Sequence, residues 1–129
     1  MNNLLQTRIP ASQTIGVIGA GTMGAGIAQV AATAGHSVKL MDVRDGAAAA
    51  AIAQIDKVFA SLVSKERMSA EDRAANLARI SAVTDLSDMS DAAMVVEVIV
   101  ENLAAKQALM RDLEAVVSPN AVLASNTSS

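Results

Sequence analysis

The sequence predicts an α/β fold, a doubly wound parallel sheet with a long helix pair inserted between strands two and three. Three observations predict it. An apolar run, Thr14-Ile15-Gly16-Val17-Ile18, leads into Gly19-Ala20-Gly21-Thr22-Met23-Gly24 and then into a helix of small residues. Asp42 follows 18 positions after Gly24, at the end of the next apolar run. Short apolar runs then alternate with segments of helical spacing, and short right-handed crossovers join such units into one parallel sheet.

Each element has a local reason. Strand one is Thr14 to Ile18. The first helix, about Thr22 to Ala34, is almost wholly Gly, Ala, Ile, Val and Met, so burial against the sheet is expected, with Gly35 as its C-terminal cap. Strand two is Ser37 to Asp42. From about Arg44 to Val63, apolar residues at Ile52, Ile55, Phe59, Leu62 and Val63 give a long helix. The alanines 47 to 51 are strong helix formers. Ser69 caps a second helix through about Leu77, with Asp72 in its acidic first turn. Strand three is Arg79 to Val83, and a turn covers Asp85 to Asp91. Ala93 to Val100, broken only by Glu97, reads as a strand buried on both faces. Leu103, Met110, Leu113 and Val117 mark the next helix, Pro119-Asn120 a turn, and Ala121 to Ala124 strand five. Residues 1–13 read as a polar leader and 14–129 as a single domain.

Composition narrows the function classes. Apolar residues make up 52% of the chain, yet Phe59 is its one aromatic, so the core is aliphatic. No cysteine is present, which removes disulfides and thiolate metal sites, and no metal site is expected. A net charge of −3 leaves no basic footprint for nucleic acid. No apolar stretch approaches the ~20 residues of a membrane helix, and Met1 to Arg8 lacks the apolar region of a signal peptide. The expectation is a soluble cytoplasmic protein with neither nucleic-acid nor membrane partners.

The glycine loop carries the chemistry. Gly19 permits the tight turn, Gly21 lets the backbone approach a pyrophosphate, and Gly24 seats the helix on the sheet, while free N–H groups at the helix start hold the diphosphate. This is the pattern of a nicotinamide dinucleotide site in a Rossmann-type sheet. Ligands bind beyond the carboxyl ends of the strands. Four clusters should therefore converge there: 19–24, Asp42, 98–102, and Ser125-Asn126-Thr127-Ser128-Ser129.

The same glycine loop, the helix pair, Val96-Glu97 with Val100-Glu101-Asn102 and Lys106, and the Ser125 to Ser129 run together resemble the NAD-binding half of L-3-hydroxyacyl-CoA dehydrogenases, of the 3-hydroxybutyryl-CoA dehydrogenase kind, from about Thr14 onward. Two positions depart from that pattern. Val98 stands where alanine is usual, which tightens the floor of its loop, and Glu66-Arg67 follows Lys65 where a glycine and a second lysine are common. The resemblance implies hydride transfer between L-3-hydroxyacyl-CoA and 3-oxoacyl-CoA, with NAD as cofactor and an acyl-CoA partner, in fatty acid metabolism or β-oxidation. It implies that Gly19, Ala20, Gly21, Thr22, Met23 and Gly24 cradle the cofactor and that Asp42 takes both adenosine-ribose hydroxyls, which favours NAD over NADP. Arg44 is read as a lid over the adenine or a solvated charge. Glu101 and Lys106 would lie near the nicotinamide ribose; the bland reading is a solvated helix start, and for Glu101 the functional role is preferred because it follows directly on a buried strand in the crevice.

Further roles also follow from the resemblance. Ser128 would bond the substrate's 3-oxygen beside the cofactor, where the bland reading is a turn serine. Lys65, on a helix-pair arm leaning over the cleft, would lie near the CoA tail. Glu97, a carboxylate in an apolar strand, is expected to bond neighbouring backbone and serve structure. The chemistry also needs a histidine base, and the single histidine, His36, falls at the wrong end of strand two, at the surface or a helix end. The expectation is therefore a cofactor-binding piece, inactive alone, of a longer enzyme that dimerises through a helical C-terminal domain. Two alternatives stand beside this reading: a β-hydroxyacid dehydrogenase of the 3-hydroxyisobutyrate or 6-phosphogluconate kind, which would have only a short connection after strand two, and a non-catalytic NAD-binding module.

Overall fold

The computed structural model describes residues 13–99 and 103–125. The leader up to residue 12, Glu101 and Ser128 lie outside the described residues. Five strands form one sheet: β1 (Thr14–Ile18), β2 (Ser37–Met41), β3 (Ile80–Val83), β4 (Ala92–Glu97) and β5 (Val122–Ser125). They run in the order β3-β2-β1-β4-β5, and every neighbouring pair is parallel. The chain thus moves outward from β1 in one direction, returns to β4, and moves outward in the other. The order reverses between β1 and β4, where such sheets open a crevice at their carboxyl ends.

Four helices connect the strands: α1 (Thr22–Thr33), α2 (Ala47–Ser64), α3 (Ala70–Ala78) and α4 (Leu103–Val116). Strand alternation sends Ile15, Val17, Val38 and Leu40 to one face, where Ile55 and Phe59 of α2 complete a core. Ile18 and Val95 point to the other face, packed with Leu113 of α4 and Met89 of the 3-10 turn Leu86–Met89. Phe59 is wholly buried. The helix pair lies between β2 and β3 as the sequence predicts. Ser69 caps α3 through Asp72 N–H donating to its Oγ at 3.0 Å, and Arg73 ties α3 to Asp56 of α2 at 2.7 Å. By length and composition alone α2 is long and apolar enough to cross a membrane. Here its buried side chains, Ala48, Ala51, Ile55 and Phe59, pack on the sheet.

Several elements differ from the sequence expectation for physical reasons. α2 starts at Ala47 rather than near Arg44, because the Asp42 carboxylate captures the Arg44 N–H at 2.8 Å and turns the chain first. β4 ends at Glu97 rather than Val100, because Glu97 captures the Ile99 N–H at 2.6 Å. Only one stripe of α1 is buried, Gly24, Ala28, Ala31 and Ala32, while Met23 and Val30 are exposed. Leu103, placed on the apolar stripe of its helix, is exposed as well. His36 is at a helix end but not at the surface: it is 1% exposed. Its Nδ1 sits 3.0 Å from the Gln13 carbonyl, to which a ring N–H donates. The expected arm is also packed down, since α2 is seated on the core through Phe59, while the turn around Lys65, Glu66 and Arg67 is exposed.

Candidate nucleotide-binding site

The loop after β1 is held from both sides. Gly19 N–H donates to the Met41 carbonyl at 2.8 Å, and Val98 N–H donates to the Ile18 carbonyl at 2.9 Å. Gly19 has φ +111°, and a Cβ there would meet the Val98 carbonyl oxygen at 2.9 Å. A Cβ on Gly24 would collide with the Gly19 carbonyl oxygen, so only glycine lets α1 start this close to the strand. Val98 packs its side chain against the same turn.

Gly21 is different. It is the N-cap of α1 in extended conformation, and a Cβ on it would meet nothing within 4 Å. It brings no side-chain acceptor, and the first turn of α1 has no acidic residue. The opening N–H groups of a helix lack intrahelical partners, and the helix dipole adds partial positive charge there. This is a cradle with backbone donors, room for a large anion, and no carboxylate in the helix's first turn to compete with it. The residues present fit a dinucleotide diphosphate.

Asp42 lies one residue beyond β2 and joins this loop. Its Oδ2 accepts the Ala20 N–H at 2.7 Å, and its carboxylate forms a double ion pair with Arg44, Nε to Oδ1 at 3.0 Å and Nη2 to Oδ2 at 2.8 Å. The Arg44 hydrogen bonds, helped by the Ala20 N–H and opposed by partial burial, hold its carboxyl well below the usual carboxylate range. Arg44 is therefore neither a lid nor a free charge in this state. It is the partner of the Asp42 carboxylate.

Across the crevice, Glu97 at the end of β4 is fully buried. Its Oε1 accepts the Ser125 hydroxyl at 2.6 Å, its Oε2 accepts the Ile99 N–H, and the Lys106 ammonium stands 3.5 Å from Oε2. Lys106, placed near the nicotinamide ribose by the family resemblance, is thus turned inward to Glu97 and is only 7% exposed. The structural role expected of Glu97 is what its bonds show. Lys65 is exposed at the far end of α2, about 27 Å along the helix axis from its start. The structure does not bring it to the glycine loop.

One feature of the site escaped the sequence. A groove of about 660 Å³ runs between α1 and α2, lined by Ala20, Gly21, Thr22 and Gln29 on one side and Arg44 and Ala51 on the other. Its only sequence trace is the alanine run at the start of α2, which leaves space where larger side chains would fill it. Among the described residues no cluster of three or more His, Cys, Asp or Glu is disposed to hold a metal.

The family model described as 3-hydroxyacyl-CoA dehydrogenase, NAD binding domain, matches residues 14–129. The chain is 43% identical over 117 residues to a 3-hydroxyadipyl-CoA dehydrogenase of Escherichia coli, covering 91% of this chain and 25% of that protein. It is 41% identical over 120 residues to a 3-hydroxybutyryl-CoA dehydrogenase of Mycobacterium tuberculosis, covering 92% and 42%. The crystal structure of an (S)-3-hydroxybutyryl-CoA dehydrogenase from Ralstonia eutropha superposes with a TM-score of 0.86 at 36% identity, over 92% of this chain and 42% of that one. The chain therefore spans less than half the length of these relatives. With a parallel sheet that reverses at its glycine loop and a helix pair after Asp42, it belongs to the 3-hydroxyacyl-CoA dehydrogenase family and corresponds to the family's NAD-binding domain.

Proposed function

We propose that this chain supplies the cofactor site for interconversion of L-3-hydroxyacyl-CoA and 3-oxoacyl-CoA. The observation that carries this reading is the bond from Ala20 N–H to Asp42 Oδ2, which sets a ribose-reading carboxylate against a diphosphate cradle. NAD supplies the hydride acceptor. The chain's own residues bind and orient it: Gly21, Thr22, Met23 and Gly24 offer backbone to the diphosphate, and Asp42 selects the ribose. Glu101 and Ser128 complete the proposed nicotinamide side, with Ser128 bonding the substrate's 3-oxygen, while Lys106 stays turned to Glu97.

His36 is the chain's one histidine, and it is buried at the opposite end of β2 from the glycine loop. It is no general base for a substrate in the crevice. Loss of such a base typically costs a factor of about 10²–10⁴, so these 129 residues are proposed to bind NAD and to turn over poorly alone. The acyl-CoA partner, a cytoplasmic place in fatty acid β-oxidation and a homodimeric enzyme are part of the same proposal. The presence of α2 and α3 argues against the 3-hydroxyisobutyrate kind of dehydrogenase, for which a short connection is expected.

The test is a titration of the chain with NADH and NADPH, followed by the fluorescence of the reduced nicotinamide, in a protein without tryptophan. Tighter binding of NADH supports the reading, and equal affinities overturn it. Assay with acetoacetyl-CoA and NADH, alone and in a protein that also carries a helical domain with a histidine base, should show turnover only in the second. There Ser128→Ala should lower kcat.

A further inference from the structure

The hydrogen bonds at Asp42 raise a question of acceptor capacity. A carboxylate offers about four lone-pair directions, and this one receives four donors. Oδ2 takes Ala20 N–H at 2.7 Å and Arg44 Nη2 at 2.8 Å, while Oδ1 takes Arg44 N–H at 2.8 Å and Arg44 Nε at 3.0 Å. No acceptor remains for a ribose diol. The two backbone donors cannot leave without undoing the glycine loop or the turn that starts α2. The two guanidinium donors can, because the Arg44 side chain is 66% exposed beside the open groove between α1 and α2, whereas that of Asp42 is 6% exposed. When the guanidinium leaves, it frees one acceptor on each carboxylate oxygen, which is what two vicinal hydroxyls require.

We infer that Arg44 is a second specificity determinant of this site, a placeholder on Asp42 that a ribose diol displaces and that becomes an anchor for a 2′-phosphate only when the Asp42 charge is removed. The inference rests on the NAD reading above and deepens it. With Asp42 charged, a 2′-phosphate meets a carboxylate and cannot donate to it, so displacing Arg44 gains nothing at the carboxylate. With Asp42 neutral, the guanidinium is released beside the ribose position, and arginine binds phosphate through paired N–H donors. The site therefore holds a phosphate anchor that one carboxylate keeps occupied.

Four proteins test this, each titrated with NADH and with NADPH at one ionic strength: the unmutated chain, Arg44→Ala, Asp42→Asn and the double variant. Asn keeps one acceptor oxygen for Ala20 N–H, so the glycine loop keeps its anchor, while the bond from Arg44 N–H is lost, and a thermal melt of each variant is read beside the titrations. Arg44→Ala should bind NADH about two- to fivefold tighter, the range of an exposed ion pair no longer broken on binding, and leave NADPH binding about unchanged, since Arg44 anchors no 2′-phosphate while Asp42 is charged. Asp42→Asn should bind NADPH more tightly than the unmutated chain, and adding Arg44→Ala should take back about tenfold, the order of a charge-assisted contact. Weaker or unchanged NADH binding by Arg44→Ala overturns the placeholder, and equal NADPH affinity of Asp42→Asn and the double variant overturns the anchor. If the unmutated chain binds neither nucleotide, the NAD reading falls and takes this inference with it. If it binds NADH and the variants fail as described, only the inference falls.

Discussion

The Ser125 hydroxyl donates to Glu97 Oε1 at 2.6 Å, joining the ends of two neighbouring parallel strands where their ladder stops at the pair Glu97 and Ser125. The other oxygen of Glu97 takes Ile99 N–H and faces Lys106, so one buried side chain fixes the exits of β4 and β5 and the first turn of α4. Glu97→Gln keeps the shape but removes the charge that faces the Lys106 ammonium and one of the two acceptor oxygens that Ser125 and Ile99 use. A broken buried pair costs about 3 kcal/mol or more, and the thermal midpoint should fall on the order of 10 °C by far-ultraviolet circular dichroism. Lys106→Met should cost less, because Glu97 keeps its Ile99 and Ser125 donors. Equal losses for the two variants would show that the bonds to Glu97 are not what holds these strand ends.

Glu97 and Asp42 also mark how far the sequence could be read. The parallel sheet, helix pair and glycine loop were legible because they follow from apolar periodicity and from Gly19, Gly24 and Ser69, whose roles are local. The strand and helix limits at residues 42–47 and 97–100 were not. There each carboxylate captures the N–H two residues ahead and ends regular structure, a competition that periodicity does not register. The inward turn of Lys106 and the pairing of Arg44 were hidden for a related reason. Which acceptor a long cation reaches depends on tertiary distance, not on position in the chain. His36 looked exposed because it follows a helix cap, but that cap drives it under the start of β1.

Asp42 should show its pairing as a pH effect. Its carboxyl in the folded chain lies below the ordinary value of 3.8. The stabilisation it gives is therefore complete above that ordinary value and is lost only as pH falls further, through the lower folded value. NADH affinity should be flat from about pH 8 down to about pH 5, since no part of the Asp42 titration lies in that range. In Arg44→Ala the main cause of the depression is gone, so the acid-side loss of stability should begin at higher pH than in the unmutated chain. Acid unfolding curves of the two proteins check this, and coincident curves would refute it.

Lys65 gives a prediction by separation. It is exposed at the end of α2 and is not among the residues at the glycine loop or Asp42. Lys65→Ala should leave NADH affinity unchanged and stability within about 0.5 kcal/mol. In the complete enzyme it should raise KM for acyl-CoA more than for a truncated thioester, because only the full CoA carries distant phosphates. Equal effects on both substrates would remove Lys65 from the CoA path.

Gly21 and Gly24 lie three residues apart in one loop, yet they should fail in different ways. Gly21→Ala adds a methyl into open space in an extended conformation that any residue adopts. Its melting temperature should stay near that of the unmutated chain, while NADH binding weakens about tenfold or more if the diphosphate occupies that space, since the backbone can no longer approach it. Gly24→Ala places a methyl on the Gly19 carbonyl oxygen, so α1 must move off the strand before any ligand is present. Overpacking of this kind costs about 1–3 kcal/mol, and binding should fall with stability. Thermal melts and NADH titrations on the pair separate the two effects. A Gly21→Ala chain that folds and still binds NADH at full strength would place the diphosphate elsewhere and remove the helix start from the cofactor site.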